Sequence, residues 1–88
     1  MIKGTTATGF EYEIQKSALN DYELIENLAD LEEDPLLISS IIRQVLGKEQ
    51  AKKLKDHVRI EDGTVPVDKM TQEITDIFRN GSEETKNS

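Results

Sequence analysis

Asp34-Pro35-Leu36-Leu37-Ile38-Ser39-Ser40-Ile41-Ile42-Arg43-Gln44-Val45-Leu46-Gly47 is the stretch on which the fold turns. An acidic residue followed by proline opens a helix. The carboxylate can accept from the free N–H groups of the first turn, and proline at the first helical position forfeits no bond. Gly47 closes it, because glycine enters the left-handed region without a steric penalty. The spacing predicts a helix over 35–46. Leu36, Leu37, Ile38, Ile41, Ile42, Val45 and Leu46 cover more than half its circumference. A helix that apolar sits at the centre of a core or between chains.

Working outward from it, a second helix follows almost at once, over 48–59. Ala51, Leu54 and Val58 face inward at spacings of three and four, and Lys48, Lys52, Lys53 and Lys55 crowd the remaining face. Glu61-Asp62-Gly63 reads as a turn and Thr64-Val65-Pro66 as a short extended link. A last helix is expected over 67–79, with Val67, Met70, Ile74, Ile77 and Phe78 as its apolar stripe and Asp68 as a candidate cap. Asn80-Gly81 should end it, leaving 82–88 as a disordered polar tail. On the other side, a helix over 20–33 is expected, capped by Asn20 with Glu23 completing a capping box and Leu19 and Leu24 forming a staple. Before it, Phe10-Glu11-Tyr12-Glu13-Ile14 alternates with period two, which points to a hairpin over 2–14 with Phe10, Tyr12 and Ile14 turned inward. The fold class is therefore α+β: a short N-terminal β-hairpin followed by a bundle of about four short helices, in one small domain over 1–81.

Eighty-eight residues allow one small core and no more; a chain of this size buries only about 60% of its unfolded surface. Hydrophobic residues make up 35%, with two Phe, two Tyr and no Trp, so the core must be mostly Ile, Leu and Val. Cysteine is absent, which excludes disulfides, thiol nucleophiles and thiolate metal sites. His57 is the single histidine, too few for a multi-histidine zinc site. The first residues hold no apolar run of signal-peptide length, and 35–42, the longest mainly apolar patch, is too short to span a bilayer. The expectation is a soluble cytoplasmic protein with no membrane partner.

Chemistry is sparse. Glu32, Glu33 and Asp34 form a carboxylate run at a helix junction, where a solvated face explains them better than a pocket holding one acid protonated. His57 has Asp56 beside it but no flagged nucleophile, and Ser39 and Ser40 fit helix packing or a bond back to the previous turn. No phosphate loop exists, and Asp62-Gly63 has too few oxygen ligands for calcium. No enzyme, cofactor or metal is expected.

What remains is apolar surplus and charge. The surplus marks Leu37, Ile38, Ile41, Ile42, Val45, Met70, Ile74, Ile77 and Phe78 as candidate protein-interaction residues, shared with another copy or another protein. Eighteen acidic against eleven basic residues give a formal charge of -7, yet the distribution is uneven. The stretch 11–34 carries nine acidic residues and Lys16 alone, whereas 43–59 carries six basic residues against Glu49 and Asp56. Lys52, Lys53 and Lys55 are thus candidates for inter-subunit contact with the acidic half of the next copy. The lysine helix after Gly47 also has a helix-turn-helix outline, but it offers only Gln50 for base readout and the rest of the surface repels phosphate. Nucleic acid is the weaker partner reading.

Thr8-Gly9-Phe10-Glu11-Tyr12-Glu13-Ile14, Asp21-Tyr22-Glu23-Leu24-Ile25-Glu26-Asn27-Leu28-Ala29-Asp30-Leu31, Val45-Leu46-Gly47-Lys48-Glu49-Gln50 and Asp56-His57-Val58-Arg59-Ile60-Glu61-Asp62-Gly63 follow one another in an order that resembles a known family. The chain is similar, over roughly 10–78, to the small tail assembly chaperones of long-tailed, Siphoviridae-like phages and prophages of Gram-positive bacteria. The resemblance implies a small helical protein that self-associates and coats the tape measure protein before the tail tube polymerises. It also implies absence from the finished virion and, often, a longer form made by ribosomal frameshifting near the end of the gene. It carries no residue-level motif. The alternatives are a small DNA-binding regulator using the 48–59 helix and a structural head–tail or tail-completion protein.

Overall fold

The computed structural model describes the backbone of residues 1–86 and the side chains of residues 1–80. It is a small α+β fold in which a two-stranded hairpin packs on a helical bundle. The hairpin pairs β1 (Ile2–Thr5) with β2 (Glu11–Ile14) antiparallel, Ile2 opposite Ile14 and Gly4 opposite Tyr12. The period-two alternation acts as expected: Phe10, Tyr12 and Ile14 are buried while Glu11 and Glu13 face water. Gly4 is required by its cross-strand partner. A Cβ there would stand 2.6 Å from Cζ of the buried Tyr12, so the ring lies over the bare backbone.

Between hairpin and bundle the chain departs from the expected single helix over 20–33. A four-residue turn of helix, α1 (Lys16–Leu19), ends at Asn20, and α2 (Tyr22–Asp30) starts afresh after Asp21. Asn20 is therefore not the cap. Asp21, one residue on and equally able to accept, takes the backbone N–H of Glu23 at 3.0 Å. Leu31 is buried at the end of α2, and residues 31–36 are a set of turns instead of the last helical turn.

Asp34 and Pro35 begin the next helix more tightly than expected. Leu37 N–H bonds to Asp34 O at 3.1 Å and Ile38 N–H to Pro35 O at 3.2 Å, both i to i+3, so regular winding in α3 (Leu37–Val58) starts two residues beyond Pro35. Within α3, Gly47 has φ 79° and ψ 169° and divides it into two helical halves, 37–46 and 48–58. That backbone pair is open essentially to glycine alone. The last helix, α4 (Val67–Lys86), corrects a further expectation. Asn80-Gly81 does not end it, and residues 82–86 are helical where a disordered tail was expected; residues 87–88 lie outside the described residues. A glycine inside a helix costs only about 1 kcal/mol relative to alanine, too little to stop a helix already anchored by packing.

The core lies where α3 meets everything else. Ile14, Ile41, Leu54, Ile74 and Ile77 are its most deeply buried large side chains, with Ile42, Val45, Leu46, Val58, Met70, Leu24, Phe10 and Tyr12 around them. The aliphatic surplus of residues 36–46 is absorbed by this position. Neighbours on several sides, α2, α4 and β2 among them, cover a helix that is apolar on several faces. Leu36 alone points away, 86% exposed.

Candidate functional site

Of the nine apolar candidates, Ile41, Ile42, Val45, Met70, Ile74 and Ile77 are core residues of the single chain. Leu37, Ile38 and Phe78 are half-buried against that core. The first six thus offer no open surface in the folded chain. The apolar surface that stays open lies elsewhere, between α2 and α4. Ile25, Leu28, Ala29 and Leu31 supply one wall, Val67, Thr71, Thr75 and Phe78 the other, and Pro35 one end. The cavity between them is about 840 Å³. Ile25 is 48% and Val67 54% exposed, and the two face one groove. Phe78 is the only candidate named from the sequence that lines it.

The groove follows from two helical periods. Ile25, Leu28, Ala29 and Glu32 fall at i, i+3, i+4 and i+7, the outer shoulder of the stripe whose inner residues Leu24 and Leu31 are buried. On α4, Val67, Thr71, Thr75 and Phe78 lie beside the buried row Met70, Ile74 and Ile77. Each helix is apolar over a wider arc than one neighbour can cover, and the two uncovered shoulders face each other. Sequence periodicity marks each shoulder, but only tertiary placement brings them together.

A second constellation joins the hairpin loop to the helices. Glu73 is 3% exposed, and its Oε1 accepts from the Thr6 hydroxyl at 3.0 Å and the Thr8 hydroxyl at 2.7 Å. Nε2 of His57 lies 3.0 Å from Thr8 Oγ1. Since Thr8 gives its proton to Glu73, His57 is the donor to Thr8, which places the imidazole proton on Nε2. The ring also packs on Phe10, centroids 5.6 Å apart at 49°, and Ala7 N–H donates to the Asp76 carboxylate at 2.7 Å. Hydroxyl, imidazole and carboxylate together invite a catalytic reading, which their order defeats. In a nucleophile–base–acid relay the acid orients the histidine through its other nitrogen. Here Glu73 and His57 converge on the same hydroxyl, and Glu73 is 4.0 Å from that same Nε2. The cluster is a latch that fixes the hairpin tip to α3 and α4. Glu73 had a legible signal: three residues after Met70 and four before Ile77, it falls on the inward face of α4.

Lys52, Lys53 and Lys55 are all exposed on the second half of α3, as is Lys48, and Arg59 is exposed just beyond its end. Arg59 is engaged locally, donating to Gly63 O at 2.7 Å and pairing with Asp56 at 3.3 Å. Among the described residues no group of acidic or histidine side chains is arranged to hold a metal ion, and no helix is long and apolar enough to cross a membrane. Compared with protein-family models, curated proteins and solved structures, the chain matches none.

Proposed function

We propose that the chain is a non-enzymatic assembly chaperone that self-associates and coats an elongated helical client, the tape measure protein of a phage tail, before the tail tube forms around it. The observation that carries this reading is the open groove between α2 and α4, an apolar surface with no neighbour among the chain's described residues to cover it. The order and character of the segments that resemble tail assembly chaperones support the same reading. The chain would act in the bacterial cytoplasm and be absent from the mature particle. Phe78, half-buried, lines that groove, and the half-buried Leu37 and Ile38 with the exposed Leu36 offer further apolar surface at the start of α3.

Charge gives the copies a way to line up. The exposed Lys52, Lys53 and Lys55 of one copy can meet the acidic α2 of the next, and repetition of that contact would run a row of copies along a long client. Co-expression of the chain with a tape measure protein is the test. The client should move from the insoluble to the soluble fraction, and a client equally soluble alone would overturn the reading. Reversing Lys52, Lys53 and Lys55 to glutamate should weaken copy-to-copy association while leaving the fold intact.

The row of exposed lysines on α3 also favours a DNA-binding regulator, against the formal charge of -7. A sequence-specific DNA complex that survives physiological salt would promote that reading over the chaperone.

A further inference from the structure

The groove between α2 and α4 has walls that need no water. Thr71 and Thr75 line it, but both hydroxyls are satisfied inside α4: Thr71 donates to Val67 O at 2.9 Å and Thr75 to Thr71 O at 2.8 Å. An apolar partner seated there strands neither hydroxyl. From Val67 to Arg79 the α4 wall rises about 18 Å, which is a little over three helical turns. Both walls are helices whose backbone groups are bonded internally, so an extended segment would find no strand edge to pair with. A third helix laid in the groove keeps its own bonds and presents only side chains.

Charge selects among helices. Asp21, Glu23, Glu26, Asp30, Glu32, Glu33 and Asp34 are exposed along α2 and the turn after it, with no basic residue among them. Asp68 stands on the opposite wall, and Arg79 is the groove's one cation among the described residues. Glu32 and Asp68 line the groove itself and the other acidic residues of α2 add negative charge around it, so a basic flank fits this border better than an acidic one. A second copy supplies no such helix. The basic half of α3 has Ala51, Leu54 and Val58 already buried in its own core, and α2 is itself acidic.

We propose that this groove seats an amphipathic helix of about three turns from another protein, its apolar ridge between α2 and α4 and its Lys and Arg residues along the acidic border. The proposal rests on the chaperone reading and gives that reading its contact site.

Three fluorescein-labelled peptides of about 15 residues test it against the full chain by fluorescence anisotropy. One has an apolar ridge with Lys and Arg flanks, one the same ridge with Glu flanks, and one the basic composition with the ridge scrambled. Only the first should bind well, and its affinity should fall about tenfold from low to high salt. Ile25→Glu and Val67→Glu should each weaken it about tenfold or more. Both positions are half-exposed, and glutamate at Val67 enters the first turn of α4, where a negative charge is favourable, so thermal unfolding should stay unchanged. Equal binding of the Glu-flanked or scrambled peptide overturns the proposal, as does full affinity in both variants. The two readings also separate. If Ile25→Glu still keeps a co-expressed client soluble, the chaperone stands and this groove is not its seat. If the basic peptide binds as described while the client needs no help, the groove stands and the tape measure assignment falls.

Discussion

The side-chain amide of Gln50 binds the backbone of Glu13 in both directions. Its Oε1 accepts from Glu13 N–H at 2.7 Å and its Nε2 donates to Glu13 O at 2.6 Å. One side chain thus does what a neighbouring strand would do at the outer edge of β2, and a second bond from Nε2 to Leu46 O at 2.9 Å holds the amide in place. A free strand edge is a template for pairing with other chains. Gln50→Leu should cost about 1–2 kcal/mol in urea unfolding, because Glu13 can turn to water for its lost partners. The larger effect should be concentration-dependent association, read by light scattering.

Gly4→Ala should destabilise the hairpin by about 1–3 kcal/mol, the range for forcing an extra methyl into a packed site. The alanine Cβ would meet the buried Tyr12 ring, which must shift to admit it. Thermal unfolding gives the magnitude. Loss of Tyr12 ring-current shifts on neighbouring residues would locate it.

Gly47→Ala meets no atom within 4 Å, so any cost is backbone strain alone. At φ 79° and ψ 169° that strain should amount to about 1–3 kcal/mol. If alanine is tolerated, the two halves of α3 have straightened into one helix, and interhelical distances by paired spin labels would show it.

The turn after α3 supplies a pH signature. The carboxylate of Asp62 accepts from the Thr64 hydroxyl at 2.7 Å and from Thr64 N–H at 2.9 Å, and these two bonds hold its pKa below the ordinary aspartate value. A carboxyl depressed on folding stabilises the fold above its unfolded pKa and loses that contribution as pH falls through the folded value. NMR titration should find Asp62 below the usual aspartate range, and Thr64→Ala, which removes the hydroxyl but keeps the N–H, should move it part of the way back.

Much of this architecture is legible in the residues themselves. Phe10, Tyr12 and Ile14 announce a half-buried strand because one face of the hairpin packs and the other does not. Gly47 announces a break because no other residue adopts its backbone conformation without strain. Legibility fails where two residues compete on equal terms, as Asn20 and Asp21 do for one cap, and where a local signal is outweighed by packing, as at Asn80-Gly81. It fails most at the groove. Whether a helix as apolar as α3 is core or interface depends on how many neighbours the rest of the chain can supply, and α3 receives enough to leave the spare surface on α2 and α4. Ile25 and Val67 therefore carry the exposure that the sequence suggests for Ile41 and Ile42.

The latch at the hairpin tip sets an order of events during synthesis. Thr6 and Thr8 bond to Glu73, and Ala7 to Asp76, so the hairpin tip is held by residues made well after it. Contacts this distant along the chain form only after the intervening loop has closed. On the ribosome α3 can already cover β2, through the packing of Phe10 on His57 and the bonds of Gln50 to Glu13, but the hairpin tip stays unlatched until α4 has emerged. A nascent chain stalled before Glu73 would leave the Thr6 and Thr8 hydroxyls and the Ala7 N–H without their partners on α4, a hairpin packed along its strand but loose at its tip.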